Sequence, residues 1–150
     1  MSDLVELNYP ECVERLQSES VGRIAVLGDP FPLIFPVNYR LVKIADEVAP
    51  GHLWIAVRTR AGNRIDRAST YVSFEIDGVE PARRSGWSVL TTGTLHTADR
   101  SAAEFEARFD SHPWLATDRD RWLVIQPVEI TGRQIVGDET EWAYPGAPEG

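Results

Sequence analysis

Six segments of this chain carry the residue types of β-strands, and they do not alternate with long helical segments. They are GRIAVL (22–27), LIFPVNYRLV (33–42), HLWIAVRT (52–59), TYVSFEID (70–77), WSVLTTGTLHT (87–97) and RWLVIQPVEITGRQI (121–135). The fourth shows the period of two most clearly. Tyr71, Ser73 and Glu75 alternate with Val72, Phe74 and Ile76, as in a strand with one face buried. The first two runs flank the turn GDPFP and read as a hairpin. Pro36 cannot donate to a ladder, so it marks an edge or a bulge. Gly93 predicts a bulge or a close backbone approach. The last run reads as a strand pair interrupted at Pro127, and GVEPARRSG (78–86) as a charged loop.

Helices are few and short. In PECVERLQSES (10–20), Pro10 suits a first helical position and Asn8 with Glu11 has capping-box spacing. Cys12, Val13 and Leu16 form its apolar stripe. RAGNRIDRAS (60–69) reads as a turn with a short helix. SAAEFEARF (101–109) has a second capping box, Ser101 with Glu104. The expected fold is mainly β: a six-stranded antiparallel barrel with short peripheral helices. Residues 1–150 read as one domain, with a core over about 11–135 and a loose tail at 137–150.

Charge narrows the function classes. Against 23 acidic residues stand 15 basic ones, a net charge of −8. Such a surface repels phosphate backbones and anionic lipid, so neither nucleic acid nor membrane is an expected partner. No apolar run approaches the roughly 20 residues of a membrane span, and the acidic N-terminus has no signal-peptide pattern. A cytoplasmic location is expected. The single cysteine, Cys12, leaves no internal disulfide and no cysteine zinc cluster, and reads as a core thiol. His52, His96 and His112 lack metal-ligand spacing. No dinucleotide or P-loop glycine motif, Gly-x-Ser-x-Gly elbow or carboxylate dyad stands out, so no metal site and no catalytic side chain are assigned. Any chemistry would fall to a cofactor.

One segment departs from the acidic average. Val57–Ala68, VRTRAGNRIDRA, holds Arg58, Arg60, Arg64 and Arg67 against one acid, Asp66. Gly62 and the candidate cap Asn63 precede the short helix. Free backbone N–H groups at a helix start, beside guanidinium groups, make a phosphate cradle. Taken by itself, the segment fits a strand–helix turn carrying solvated arginines better. FPVNYR (35–40) could bring backbone groups and an amide to the edge of a flat heterocycle, or be an edge strand with a bulge. In GWSV (86–89) an aromatic and a hydroxyl start a strand, the usual place of a packing tryptophan.

In order, these features resemble the pyridoxamine 5′-phosphate oxidase-like superfamily of FMN-binding split β-barrels, and within it small actinobacterial-type members. The resemblance spans about Glu11 to Ile135. It rests on a helix before GRIAVL, then PVNY, VRT-x-x-G-N-R-I-D, V-S-F-E-I-D, GWSV-x-x-x-G and I-x-P-x-x-I-T-G-R. It implies a homodimer with the cofactor at the interface. Phe35, Pro36, Val37, Asn38 and Tyr39 would run along the isoalloxazine. Val57, Arg58 and Thr59 would end the strand that meets the ribityl phosphate. Asn63 and Arg64 would bind the phosphate, with arginine where many relatives carry lysine. Trp87 and Ser88 would approach the flavin, often from the partner subunit. The implied activity is FMN-dependent hydride transfer through flavin N5 to a small organic acceptor, with NADH or NADPH as a candidate donor. The acidic C-terminus, DETEWAYPGAPEG, lacks the basic clamp of the oxidases acting on pyridoxamine phosphate. The alternatives on the same fold are a reductase using the deazaflavin coenzyme F-420 and a flavin- or haem-binding protein with little turnover.

Overall fold

A computed structural model describes residues 3–43, 53–59, 65, 71–97 and 121–137. The elements are strand β1 (Asp3–Leu7), helix α1 (Tyr9–Ser18), and strands β2 (Val21–Val26), β3 (Leu33–Lys43), β4 (Leu53–Thr59), β5 (Tyr71–Glu80), β6 (Ser85–Thr97) and β7 (Arg121–Val136). All strand pairs are antiparallel. The order is β1-β7-β4-β3-β2-β5-β6, and β6 also pairs with β7. That last pairing closes six strands into a barrel, with β1 added outside on β7. The expected mainly β, six-stranded antiparallel barrel is the architecture present.

Local sequence explains the single α-helix among the described residues. The Asn8 side chain accepts from the Glu11 N–H at 2.9 Å, and Glu11 accepts from the Asn8 N–H. This reciprocal cap satisfies two N–H groups that the first turn leaves free. Cys12 and Leu16 are buried and Val13 half-buried, so the expected stripe faces the barrel. The alternation in β5 also holds. Val72, Phe74 and Ile76 are buried, and the residues between them face outward. The main core joins Leu16, Ile24, Ile55, Phe74, Val89 and Ile125, among others, inside the barrel. A smaller cluster of Val42, Ala56, Trp122 and Val124 lies on the opposite face of β3, β4 and β7.

Three sequence expectations need correction. The segment 78–86 is not an open loop. β5 continues to Glu80, one 3₁₀ turn covers Pro81–Arg83, and β6 starts at Ser85. Its charges are compatible with pairing because Asp77, Val79 and Glu80 are exposed. Residues 121–135 are not two strands but one, Arg121–Val136. Pro127 is accommodated where the β6–β7 register shifts: Thr92 faces Glu129 and Gly93 faces Pro127, so Val128 is the extra residue of a bulge. Strand β1 was not anticipated, because five residues with two acids carry little β signal. The expected helices at 60–69 and 101–109, and the tail beyond Gly137, lie outside the described residues.

Gly93 is needed at the bulge. A Cβ there would collide with the Gln126 carbonyl oxygen and lie 2.9 Å from its carbon. Backbone cannot yield as a side-chain tip can. Gly93→Ala is therefore expected to destabilise the fold by about 1–3 kcal/mol, measurable by urea denaturation as a lower midpoint at unchanged slope.

Candidate functional site

Among the described residues, strand pairing is incomplete at the seam between β3 and β4. β3 pairs with β2 from Leu33 to Asn38, and with β4 only from Tyr39 to Lys43. Over residues 33–38 the other edge of β3 has no partner strand among the described residues. The direction of its backbone groups follows from one hydrogen bond. The Tyr39 N–H donates to the Ser20 carbonyl at 3.0 Å, on the β2 side. Strand alternation then turns the backbone groups of Ile34, Pro36 and Asn38 to the open edge. Pro36 sits where a missing N–H costs no ladder bond, so it marks an edge as expected. Along this edge lie two carbonyl acceptors without a free amide hydrogen between them, followed by the N–H, C=O and side-chain amide of Asn38.

Side-chain direction divides the sequence-predicted residues into two sets. Val37, Tyr39 and Val57 belong to the main core, Phe35 packs against it, and Thr59 is buried. The Tyr39 ring meets Phe74 edge-on at 4.9 Å, and its hydroxyl donates to the Leu16 carbonyl at 2.6 Å. Burial, helped by Glu19, pushes this phenol well above its ordinary pKa. These residues can present only backbone to a ligand on the barrel surface. Pro36, Asn38, Arg58 and Ser88 face outward and can present more.

Asn38 and Arg58 lie on adjacent strands just past the last β3–β4 pair, Tyr39 with Val57, where the barrel opens. The Arg58 guanidinium stacks over Trp122, 5.8 Å from the ring centroid. Asn63 and Arg64 lie outside the described residues. Trp87 and Ser88 are not at this opening. Strands β2 and β5 separate β6 from β3, placing Ser88 about three strand spacings, on the order of 14 Å, from Asn38. Trp87 is half-buried at the α1 end of the barrel. Gly78 packs against one side of its indole, and the Arg15 guanidinium lies 4.8 Å from its ring centroid.

The donor set suits a flavin. The open edge offers acceptors and an amide to a ring bearing one N–H between two carbonyls. Arg58 offers charge to a phosphate and begins the arginine-rich stretch.

Sequence reasoning missed one ionisable group. Arg23, Glu75 and Asp77 share the outer face. The Arg23 guanidinium donates to Asp77 at 3.1 Å and lies 3.7 Å from Glu75 Oε1. Desolvation first, then hydrogen bonding to Asp77 and its negative charge, raise the Glu75 pKa to about 7, against the lowering effect of Arg23. The signal was present as an i, i+2 acid pair on one strand face, but burial decides its meaning. Because the folded pKa is raised, the folded chain holds a proton that the unfolded chain has lost between about pH 4.5 and 7. Stability from this group is complete below that window and lost as pH rises through it.

A sequence profile of the pyridoxamine 5′-phosphate oxidase family matches residues 9–134. An uncharacterized protein of Mycobacterium tuberculosis is 33% identical over 141 residues, covering 91% of this chain and 88% of that protein. A provisionally assigned pyridoxamine 5′-phosphate oxidase from Corynebacterium glutamicum superposes with a TM-score of 0.71 at 32% identity, covering 91% of this chain and 96% of the other. The FAD binding protein from Mycobacterium smegmatis gives 0.70 at 29% identity, covering 89% and 100%.

Two measurements test the division between core and surface. Tyr39→Phe is expected to lower stability by about 1 kcal/mol in thermal or urea unfolding, the net value of one hydrogen bond. Flavin uptake by this variant should be unchanged, and a loss would place the hydroxyl in the ligand site. Glu75→Gln should flatten the fall of Tm between pH 5 and 8 by a few degrees at most, since solvent screens this half-exposed group. The profile match, the relatives at about 30% identity and the shared barrel agree: this chain belongs to the pyridoxamine 5′-phosphate oxidase family.

Proposed function

We propose that this protein binds a flavin, FMN, at the opening between β3 and β4, and acts as an oxidoreductase on a small organic acceptor. The observation that carries the reading is the unpaired edge of β3 beside Arg58, in a chain whose net charge is −8. The 29% identical relative from Mycobacterium smegmatis, described as FAD-binding, supports a flavin over an unrelated ligand. When bound, the flavin supplies hydride acceptance and donation at N5.

The chain's own residues bind and orient. The Ile34 and Pro36 carbonyls and the Asn38 amide hold the polar rim of the ring. Arg58, with Asn63 and Arg64 beyond it in sequence, holds the phosphate. Phe35, Val37, Tyr39, Val57 and Thr59 fix these strands from within, and add backbone alone to the ligand's surroundings. Trp87 and Ser88 are about three strand spacings from Asn38 in one copy of the chain. In a homodimer with the cofactor at its interface, a second copy would supply them as a wall of the pocket. Here catalysis rests on placement and exclusion of water rather than on a side-chain acid or base. NADH or NADPH is the proposed reductant.

Mass spectrometry of the extracted small molecule tests cofactor identity. FMN supports the reading in full. FAD retains the flavin and corrects the nucleotide, whereas a deazaflavin or a haem overturns it. Arg64→Ala is expected to weaken FMN by about 10- to 100-fold, the range of one charge-assisted contact, with Tm of the apoprotein unchanged. Arg58→Ala should weaken FMN similarly and also lower Tm, because Arg58 packs on Trp122. Unaltered affinity in both variants would show that neither arginine serves the phosphate.

A further inference from the structure

Two neighbours hold the Trp87 side chain. Gly78 stands opposite it on β5. A Cβ on that glycine would lie 2.5 Å from the indole Nε1 and 2.8 Å from Cε2, so the ring rests against bare backbone there. The Arg15 guanidinium of α1 sits over the ring, 4.8 Å from its centroid. Arg15 has carboxylates at helical ion-pair spacing, Glu11 and Glu19, four residues to either side. Glu11 is engaged in the cap at Asn8, and Glu19 is the C-cap residue of the helix. Among the described residues no carboxylate pairs with Arg15. The anchoring of α1 decides where its guanidinium goes. Cys12 and Leu16 are buried beneath the helix, and the Leu16 carbonyl accepts from the Tyr39 hydroxyl at 2.6 Å. Arg15, next to Leu16 on this fixed turn, is half-buried, as is the ring it covers. A cation over an indole face is held by electrostatic attraction to the ring.

We propose that Arg15 is a positioning residue of the flavin pocket: by stacking on Trp87 it holds the indole in the orientation that a second copy presents as a pocket wall. The inference rests on the functional reading, which makes Trp87 that wall, and adds the residue that aims it. Arg15 itself touches neither the flavin ring nor its phosphate. Its effect reaches the ligand as order. An indole already held between Gly78 and a guanidinium loses little freedom when a flat ring packs against it, whereas a freely turning one must be ordered by the ligand. Gly78 contributes the space and Arg15 the attraction, so loss of the guanidinium leaves room for the indole to turn.

FMN titration of the purified chain, read by flavin fluorescence and paired with thermal unfolding, is the test. Arg15→Ala keeps a strong helix former in α1. It should weaken FMN by about 2- to 5-fold, the range of one cation–π contact at a partly exposed site. Bound FMN should also regain fluorescence, because an indole that turns away no longer quenches it as fully. Arg15→Lys keeps a cation for the ring and should restore most of both. Arg83→Ala removes the same charge from an exposed turn and should change neither. In Trp87→Leu, itself weaker for FMN, adding Arg15→Ala should bring no further loss. A purely structural Arg15 would lower Tm and leave affinity and fluorescence where they are, and that result overturns the proposal. So does a loss that lysine fails to restore, an equal loss in Arg83→Ala, or an equal further loss in the Trp87→Leu background. The two readings fail differently. No FMN uptake by the unmodified chain removes the flavin reading and this inference with it, whereas uptake that ignores Arg15 removes this inference alone.

Discussion

Pairing of β6 with β7 is the interaction on which the rest of the molecule depends. It runs from Gly86–Ile135 to Thr97–Leu123 and turns an open sheet into a closed one. Without it the sheet would have two free margins, and Ile76, Val89 and Ile125 would line a trough open to water. The 16-residue β7 pairs with three neighbours, β6 on one edge and β4 then β1 on the other. β7 lies against β4 up to Ile125, against β6 along most of its length, and against β1 from Gly132 onward. β1 thus takes up the margin that β4 leaves. α1 then packs across this end, with Cys12 so near Gly132 that a Cβ on the glycine would lie 2.7 Å from its sulfur.

Closure also gives the small barrel an interior filled by side chains. Inward positions are committed to the core, as Tyr39 shows. Its ring packs on Phe74 and its hydroxyl ties β3 to the last turns of α1. On the proposed flavin reading, recognition is left to main-chain groups at an edge and to outward side chains. On that reading a substitution at Val37 or Val57 would reach the ligand only by moving backbone, and one at Asn38 or Arg58 would act on it directly.

Much of this was legible in the sequence where the signal is local. The Asn8–Glu11 cap, the alternation of β5, Pro36 as an edge residue and Gly93 as a bulge each follow from two to six residues. What failed depended on partners distant in sequence. Pro127 breaks the pattern by itself, yet is tolerated because Gly93 opposite it has no side chain. The 78–86 stretch looked like a loop because outward strand positions can be charged when only one face is buried. β1 exists because β7 has a vacant margin, which its own five residues cannot reveal. The site was half legible. Residue types at 35–39 and 57–59 pointed to the opening, but not to which of them turn inward. Glu75 carried no signal until its burial and its distance to Arg23 were known.

Pro36 has one more consequence. Unpaired strand margins invite strands from other chains, and many proteins guard them with proline or charge. Here the open margin of β3 lacks an amide hydrogen midway along its length, so an incoming strand could not form a continuous ladder. A compact molecule needing only carbonyls at that point meets no such obstacle. The same imino acid would thereby turn away polymerising neighbours while leaving room, on the proposed reading, for a flat heterocycle.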